Sequence, residues 1–178
     1  MDKKRKIKIV STCAVLAAIS CVVAAMCKVL TFGGLRITFE NLPIILSGYL
    51  FGPIAGFSVG VVSDFLNSII FYGVGGINPI VTLGAGCVGL FAGIGSHIAV
   101  KKSVGFRLFL SVLLAHTIGN MIVKSVGLYL WYSYPFSVLI LRVPLYMGIG
   151  IIEFFLLKII LKNKRISEAS VYDISKGA

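Results

Sequence analysis

The sequence predicts an all-α integral membrane protein: a bundle of six transmembrane helices, one of them short, with both termini cytoplasmic. Three observations carry this prediction: the composition, the lengths of the apolar runs, and the placement of the basic residues. Apolar residues fill 58% of 178 positions and charged residues only 13%, with a mean hydropathy of +1.01. A soluble domain carries roughly 25% charged residues. A chain this poor in charge and this rich in long apolar runs is at home in a bilayer.

Crossing a bilayer takes about 20 apolar residues at 1.5 Å each. Four runs are long enough, near 9–30, 79–100, 106–131 and 138–161. The first follows a basic stretch and imitates a signal peptide, with Ala18-Ile19-Ser20-Cys21 resembling a lipoprotein cleavage site. Its apolar run is too long for a signal-peptide core, and further spans follow, so it reads as a retained first helix. The stretch from Leu42 to Phe71 is too long for one upright span. Gly52-Pro53 interrupts it, and that pair disfavours a continuous helix. Two spans result, 41–51 and 53–71, of which the shorter needs shelter from its neighbours.

Charge parity supports the same division. Thirteen of the 17 basic residues lie in three stretches, Lys3 to Lys8, Lys101 to Arg107 and Lys158 to Lys176. With six spans all three fall on one side, which the positive-inside rule makes cytoplasmic. Outer connections then fall at 31–40, 72–78 and 132–137. One domain, 1–178, suffices, with a short basic tail at 1–8 and a polar tail at 163–178. The net charge of +11 therefore reflects orientation. No basic stripe interleaved with aromatics points to nucleic acid. Cys13, Cys21, Cys27 and Cys87 form no C-x-x-C pair and read as small buried hydrophobes, with no metal site expected.

Small residues recur at four-residue spacing. Gly52, Gly56 and Gly60 share one face of span three; Ala85, Gly89 and Gly93 share one face of span four. Such faces let membrane helices approach closely. Span one carries two: Ala14 with Ala18, and Ala17 with Cys21 and Ala25. One of these faces is free to serve a partner.

Lys28, Arg36, Lys124 and Arg142 break the charge bias, because all four fall toward the outer side. Misplaced intramembrane charges are costly and are retained for function or pairing. Glu40, Asn41, Asp64, Asn67 and Asn78 lie at a similar depth, with Asn120 deeper in span five. Phe39, Phe71, Tyr72, Tyr129 and Trp131 crowd the same level, whereas Tyr132 and Tyr134 read first as an interfacial belt. Together these residues describe an outward-facing pocket with an excess of positive charge, suited to an anionic ligand with a flat ring. Asp64 could instead pair with Lys124 or Arg36, Lys28 could snorkel, and His97, His116 and Glu153 read as hydrogen-bonded bundle residues. Catalysis finds no motif: there is no G-x-S-x-G, no H-E-x-x-H and no phosphate-binding loop. No inverted repeat suggests an autonomous transporter.

The run LRITFENLPIILSGYLFGPIAGFSVGVVSDFLN, Leu35 to Asn67, resembles the signature of S components of energy-coupling factor (ECF) transporters, most closely the folate branch. The resemblance continues through GINPIVTLGAG from Gly76, KSVGLYLWYSYPF from Lys124, and LRVPLY from Leu141. One stretch departs from the folate pattern. Where that branch carries an asparagine followed by threonine and tryptophan, this chain has Lys124-Ser125-Val126.

The resemblance implies a high-affinity substrate-binding subunit of a bacterial vitamin importer, not an enzyme and with no cofactor beyond the transported vitamin. Its partners would be a transmembrane coupling protein, docking on Ala14 and Ala18, and two ATPases. For a folate, Arg36, Lys124 or Arg142 would meet the tail carboxylates. Phe39, Tyr72 or Trp131 would stack on the ring, with Asp64, Asn67 or Asn78 at its edge. Alternatives are an S component for thiamine, pantothenate or a queuosine precursor, or a membrane scaffold of the cell-shape machinery.

Overall fold

The computed structural model describes residues 3–27, 31–32, 35–73 and 76–163, with the backbone alone for residues 31, 32, 35 and 36. Six helices run through it: α1 Lys3–Cys27, α2 Asn41–Phe51, α3 Pro53–Tyr72, α4 Pro79–Ile98, α5 Val104–Tyr132 and α6 Phe136–Leu161. All but α2 are long and apolar enough to cross a membrane. The stretch expected as a basic tail is helical from Lys3 onward. Lys28 and the C-terminal tail from residue 164 lie outside the described residues.

The break between α2 and α3 falls where the sequence placed it. Gly52 takes φ 99°, a conformation open to glycine, while its N–H still bonds Gly48 O at 3.0 Å. Pro53 then starts α3, where its missing N–H costs nothing. Nine of the 11 residues of α2 are buried, so its neighbours supply the shelter that so short a helix needs.

The two glycine faces meet each other. A Cβ on Gly56 would strike Gly89 O, one on Gly60 would strike Ala85 O, and one on Gly93 would strike Pro53. Backbone therefore lies on backbone along α3 and α4, the packing available to helices that gain nothing from hiding apolar surface in lipid. α4 is the most enclosed long helix and touches α2, α3 and α5. The core gathers around Ile44, Ile45, Tyr49, Val88, Leu108 and Leu157.

Three local features were not anticipated. A short hairpin, β1 Thr31–Phe32 with β2 Leu35–Arg36, forms in the connection before α2, with Thr31 opposite Arg36. In α5, residues Ala115–Val123 adopt i→i+5 bonding, a widened turn of a kind frequent at functional sites. Arg107, grouped above with the orienting charges, is instead 3% exposed. It donates to Ser96 Oγ at 2.7 and 2.9 Å and lies 4.7 Å from the Tyr49 ring centre. Hydropathy could not separate this buried arginine from its exposed neighbours Lys101 and Lys102.

Alternation of the helices gives the bundle two ends. One holds Lys3 to Lys8, Lys101, Lys102, Lys158 and Lys162. The other holds the hairpin, the connection into α4 and the α5–α6 turn. The polar residues gather under that second end.

Candidate functional site

A cavity of about 370 Å³ opens there. Thr38 and Glu40 line it from the entry to α2; Asp64, Asn67, Ser68 and Tyr72 line it from the last turns of α3. Asn78 and Val81 contribute from α4, Lys124, Leu128 and Tyr132 from α5, and Tyr134, Arg142 and Tyr146 from the α6 side.

Each side chain is held by the local fold. Lys124 is buried, with Nζ 3.7 Å from Glu40 Oε1 and donating to Asn41 Oδ1 at 3.4 Å. Gly84 makes room for its stem, since a Cβ there would stand 2.6 Å from Lys124 Cγ. Asp64 Oδ2 accepts from Thr82 Oγ1 at 2.7 Å. Lys124 thus pairs with Glu40 at the start of α2 rather than with Asp64, whose other candidate partner, Arg36, has its side chain outside the described residues. The Arg142 guanidinium lies 5.0 Å from the Tyr146 ring centre, and its Nε is buried without a protein partner. Asn67 Oδ1 is likewise buried and unpartnered. These two atoms are available to a ligand, since an unmet buried polar group is costly.

Asn78 is differently occupied. Its Oδ1 caps α4 by accepting from the Ile80 and Val81 N–H groups at 3.0 and 3.2 Å. Its Nδ2 donates to Gly127 O at 3.1 Å. Asn78 lines the wall but ties α4 to α5, which limits what it can offer a ligand.

Of the other expected residues, Phe39 is half-buried and does not line the cavity. Trp131 is 54% exposed and turned away from it. The side chain of Arg36 is outside the described residues, as is Lys28. Conversely, Tyr132 and Tyr134, read first as an interfacial belt, also line the cavity. The reason is the turn after α5. Ser133 takes φ 50°, its N–H bonds Tyr129 O at 3.1 Å, and Tyr132 Oη reaches back to Gly76 O at 3.2 Å. Glu40 and Tyr146 join the site too, although the first had been placed only at the same depth.

Among the described lining side chains, Glu40 and Asp64 stand beside Lys124 and Arg142; Lys28 and the Arg36 side chain, on which the expected positive excess also rested, lie outside the described residues. Two carboxylates, two cations and several tyrosine rings suit an amphoteric aromatic molecule. Among the described residues no group of His, Cys, Asp or Glu is placed to hold a metal.

A family model described as "ECF transporter, substrate-specific component" matches residues 8–162. The chain belongs to this family. The substrate-specific component is a transport subunit of the ECF complex and binds its vitamin, so the chain is a multi-pass membrane protein and not an enzyme. A crystal structure of FolT bound with folic acid shares the fold, at a TM-score of 0.64 and 23% identity over 82% of this chain and 87% of that one. A comparison with curated proteins finds no match.

On the free side of the bundle, α1 shows Ala14 and Ala18 exposed while Ala17 and Ala24 are buried against the other helices. The two small-residue faces of span one are thus distinguished: the Ala17 side begins in the core, and the Ala14–Ala18 side is open.

Proposed function

We propose that this S component binds folate, from outside a bacterial cell, for an ATP-driven importer. The observation that carries the reading is the cavity itself, in which two cations on adjacent helices stand beside a tyrosine wall and a buried, unpartnered Asn67 Oδ1. Its volume of about 370 Å³ falls within the ~300–1,000 Å³ typical of small-molecule sites. Folate is an amphoteric aromatic ligand. The N–H groups of its ring edge suit Asp64 or Glu40, and its carboxylates suit Arg142 and Lys124 through charge-assisted bonds. The shared fold of the folic acid-bound relative supports the same choice.

Capture outside follows from the charge distribution. The cavity lies at the bundle end opposite the lysine-rich one, which the positive-inside rule assigns to the cytoplasm. Release inside would be driven by two ATPases acting through a transmembrane coupling protein, which docks on Ala14 and Ala18.

Equilibrium titration of the purified protein with folate, thiamine and pantothenate tests the ligand. Saturable binding of folate, undisturbed by excess of the other two, is expected. Preference for thiamine would transfer the assignment to a cationic vitamin held by Glu40 and Asp64.

A further inference from the structure

Beneath the cavity lies a buried polar chain that no ligand can reach directly. Glu153, in the middle of α6, is fully buried, and His116 on α5 is 3% exposed. His116 Nε2 is 2.7 Å from Glu153 Oε2, and Asn120 Nδ2 is 3.1 Å from His116 Nδ1. In the neutral tautomer that satisfies both contacts, Nε2–H donates to the carboxylate and Nδ1 accepts from the amide. Gly150 leaves the space for the ring, since a Cβ there would come within 3.1 Å of His116 Cδ2.

His116 is the point where routes from both pocket cations meet. Along α5, Asn120 lies one turn above it and Lys124 one turn above that. In a regular α-helix, positions four apart drift sideways by about 40° per step at 3.6 residues per turn. The widened turns over Ala115–Val123 offset that drift, so that His116, Asn120 and Lys124 all face inward and are all buried. Along α6, the His116 ring lies 6.1 Å from the Tyr146 ring centre, and Tyr146 in turn carries the Arg142 guanidinium at 5.0 Å. His116 therefore ties α5 to α6 directly through Glu153 and lies against Tyr146 there, while Asn120 stands between it and Lys124 on its own helix.

We propose that His116, pinned by Glu153, is a positioning residue that fixes the spacing between Lys124 and Arg142 and so tunes the pocket to a ligand whose tail carries two carboxylates, as the glutamate of folate does and the single carboxylate of pteroate does not. The tail-specific part rests on the folate reading; the positional part does not. Groups that orient a binding residue without touching the ligand cost about tenfold or more when removed at metal sites, and a similar loss is expected here.

The test compares folate with pteroate, which lacks the glutamate. His116→Ala should weaken folate binding about tenfold and leave pteroate within about twofold. His116→Gln, whose amide can donate to Glu153 and accept from Asn120, should restore most of the loss. Should His116→Ala fail to fold, Asn120→Ala cuts one arm alone and should shift the same ratio in the same direction. Equal loss for both ligands, or no loss for either, would overturn the proposal. A second readout needs no ligand. Nitroxides at the exposed Tyr129 and Ile140, in a cysteine-free background, report the α5–α6 spacing by EPR. The distance distribution should broaden in His116→Ala and recover in His116→Gln. If wild type binds neither folate nor pteroate, the folate reading fails, and an unchanged distribution would then overturn the positional claim as well.

Discussion

Arg142→Ala removes a cation whose surroundings allow the cost to be worked out. The guanidinium rests 5.0 Å from the Tyr146 ring centre and its Nε is buried with no protein partner. Truncation should leave the apo fold largely intact, because what is lost is a stacked charge at the rim of a cavity and not a core contact. Ligand binding should suffer more. A hydrogen bond to a charged group contributes about 1.5–3 kcal/mol, and each 1.4 kcal/mol is tenfold in affinity. The dissociation constant for folate should rise roughly 10- to 150-fold. Arg142→Lys keeps the charge but loses the planar fork and its stacking, so it should fall between wild type and alanine. Isothermal titration of purified protein reads the constant directly. Ligand-induced thermal stabilisation gives an independent check, since the folate concentration needed for a given rise in Tm should scale with that constant. An unchanged constant, with wild-type apo stability, would show that Arg142 does not meet the ligand and would leave Lys124 as the pocket's described cation for it.

Three further outcomes are expected. A cysteine at Ser103 should resist membrane-impermeant thiol reagents in intact cells while one at Ser133 reacts; the reverse pattern would invert the proposed orientation. Gly56→Ala should destabilise the protein by at least the ~1–3 kcal/mol typical of overpacking, because its Cβ meets the backbone of Gly89, which cannot rotate aside; an unchanged Tm would show that α3 and α4 are not in backbone contact. Ala14→Trp should leave folate affinity within about twofold, since Ala14 is exposed and remote from the cavity, yet abolish co-purification with the coupling protein and uptake; surviving uptake would move docking away from this face.

The fold was legible because the bilayer imposes few rules and this chain obeys them openly. Run lengths located the helices to within a few residues, apart from the added turns at the start of α1. Gly52-Pro53 marked a sharp break, and the small-residue faces of α3 and α4 marked where helices approach closely, though not that the two faces meet each other. The site was legible in depth but not in azimuth. Misplaced charges and amides reveal which end of the bundle is polar, whereas which way a side chain points depends on how helices are rotated against one another. That is why Trp131 and Tyr132, adjacent in sequence, could not be sorted between lipid and cavity. The left-handed Ser133 turn and the widened turns of α5 decide it, and neither has a clear signature in sequence. Glu40 was overlooked as the partner of Lys124 for the same reason: 84 positions apart, they meet only once α2 is packed beside α5.

Mass spectrometry of what co-purifies with the protein reads out whether the cavity is built for folate. Folate or a reduced folate is expected near one per protein molecule, displaced by added folate and absent from Arg142→Ala purified at low ligand concentration. A different vitamin in the cavity, or empty protein that also fails to take up added folate, would contradict the folate reading.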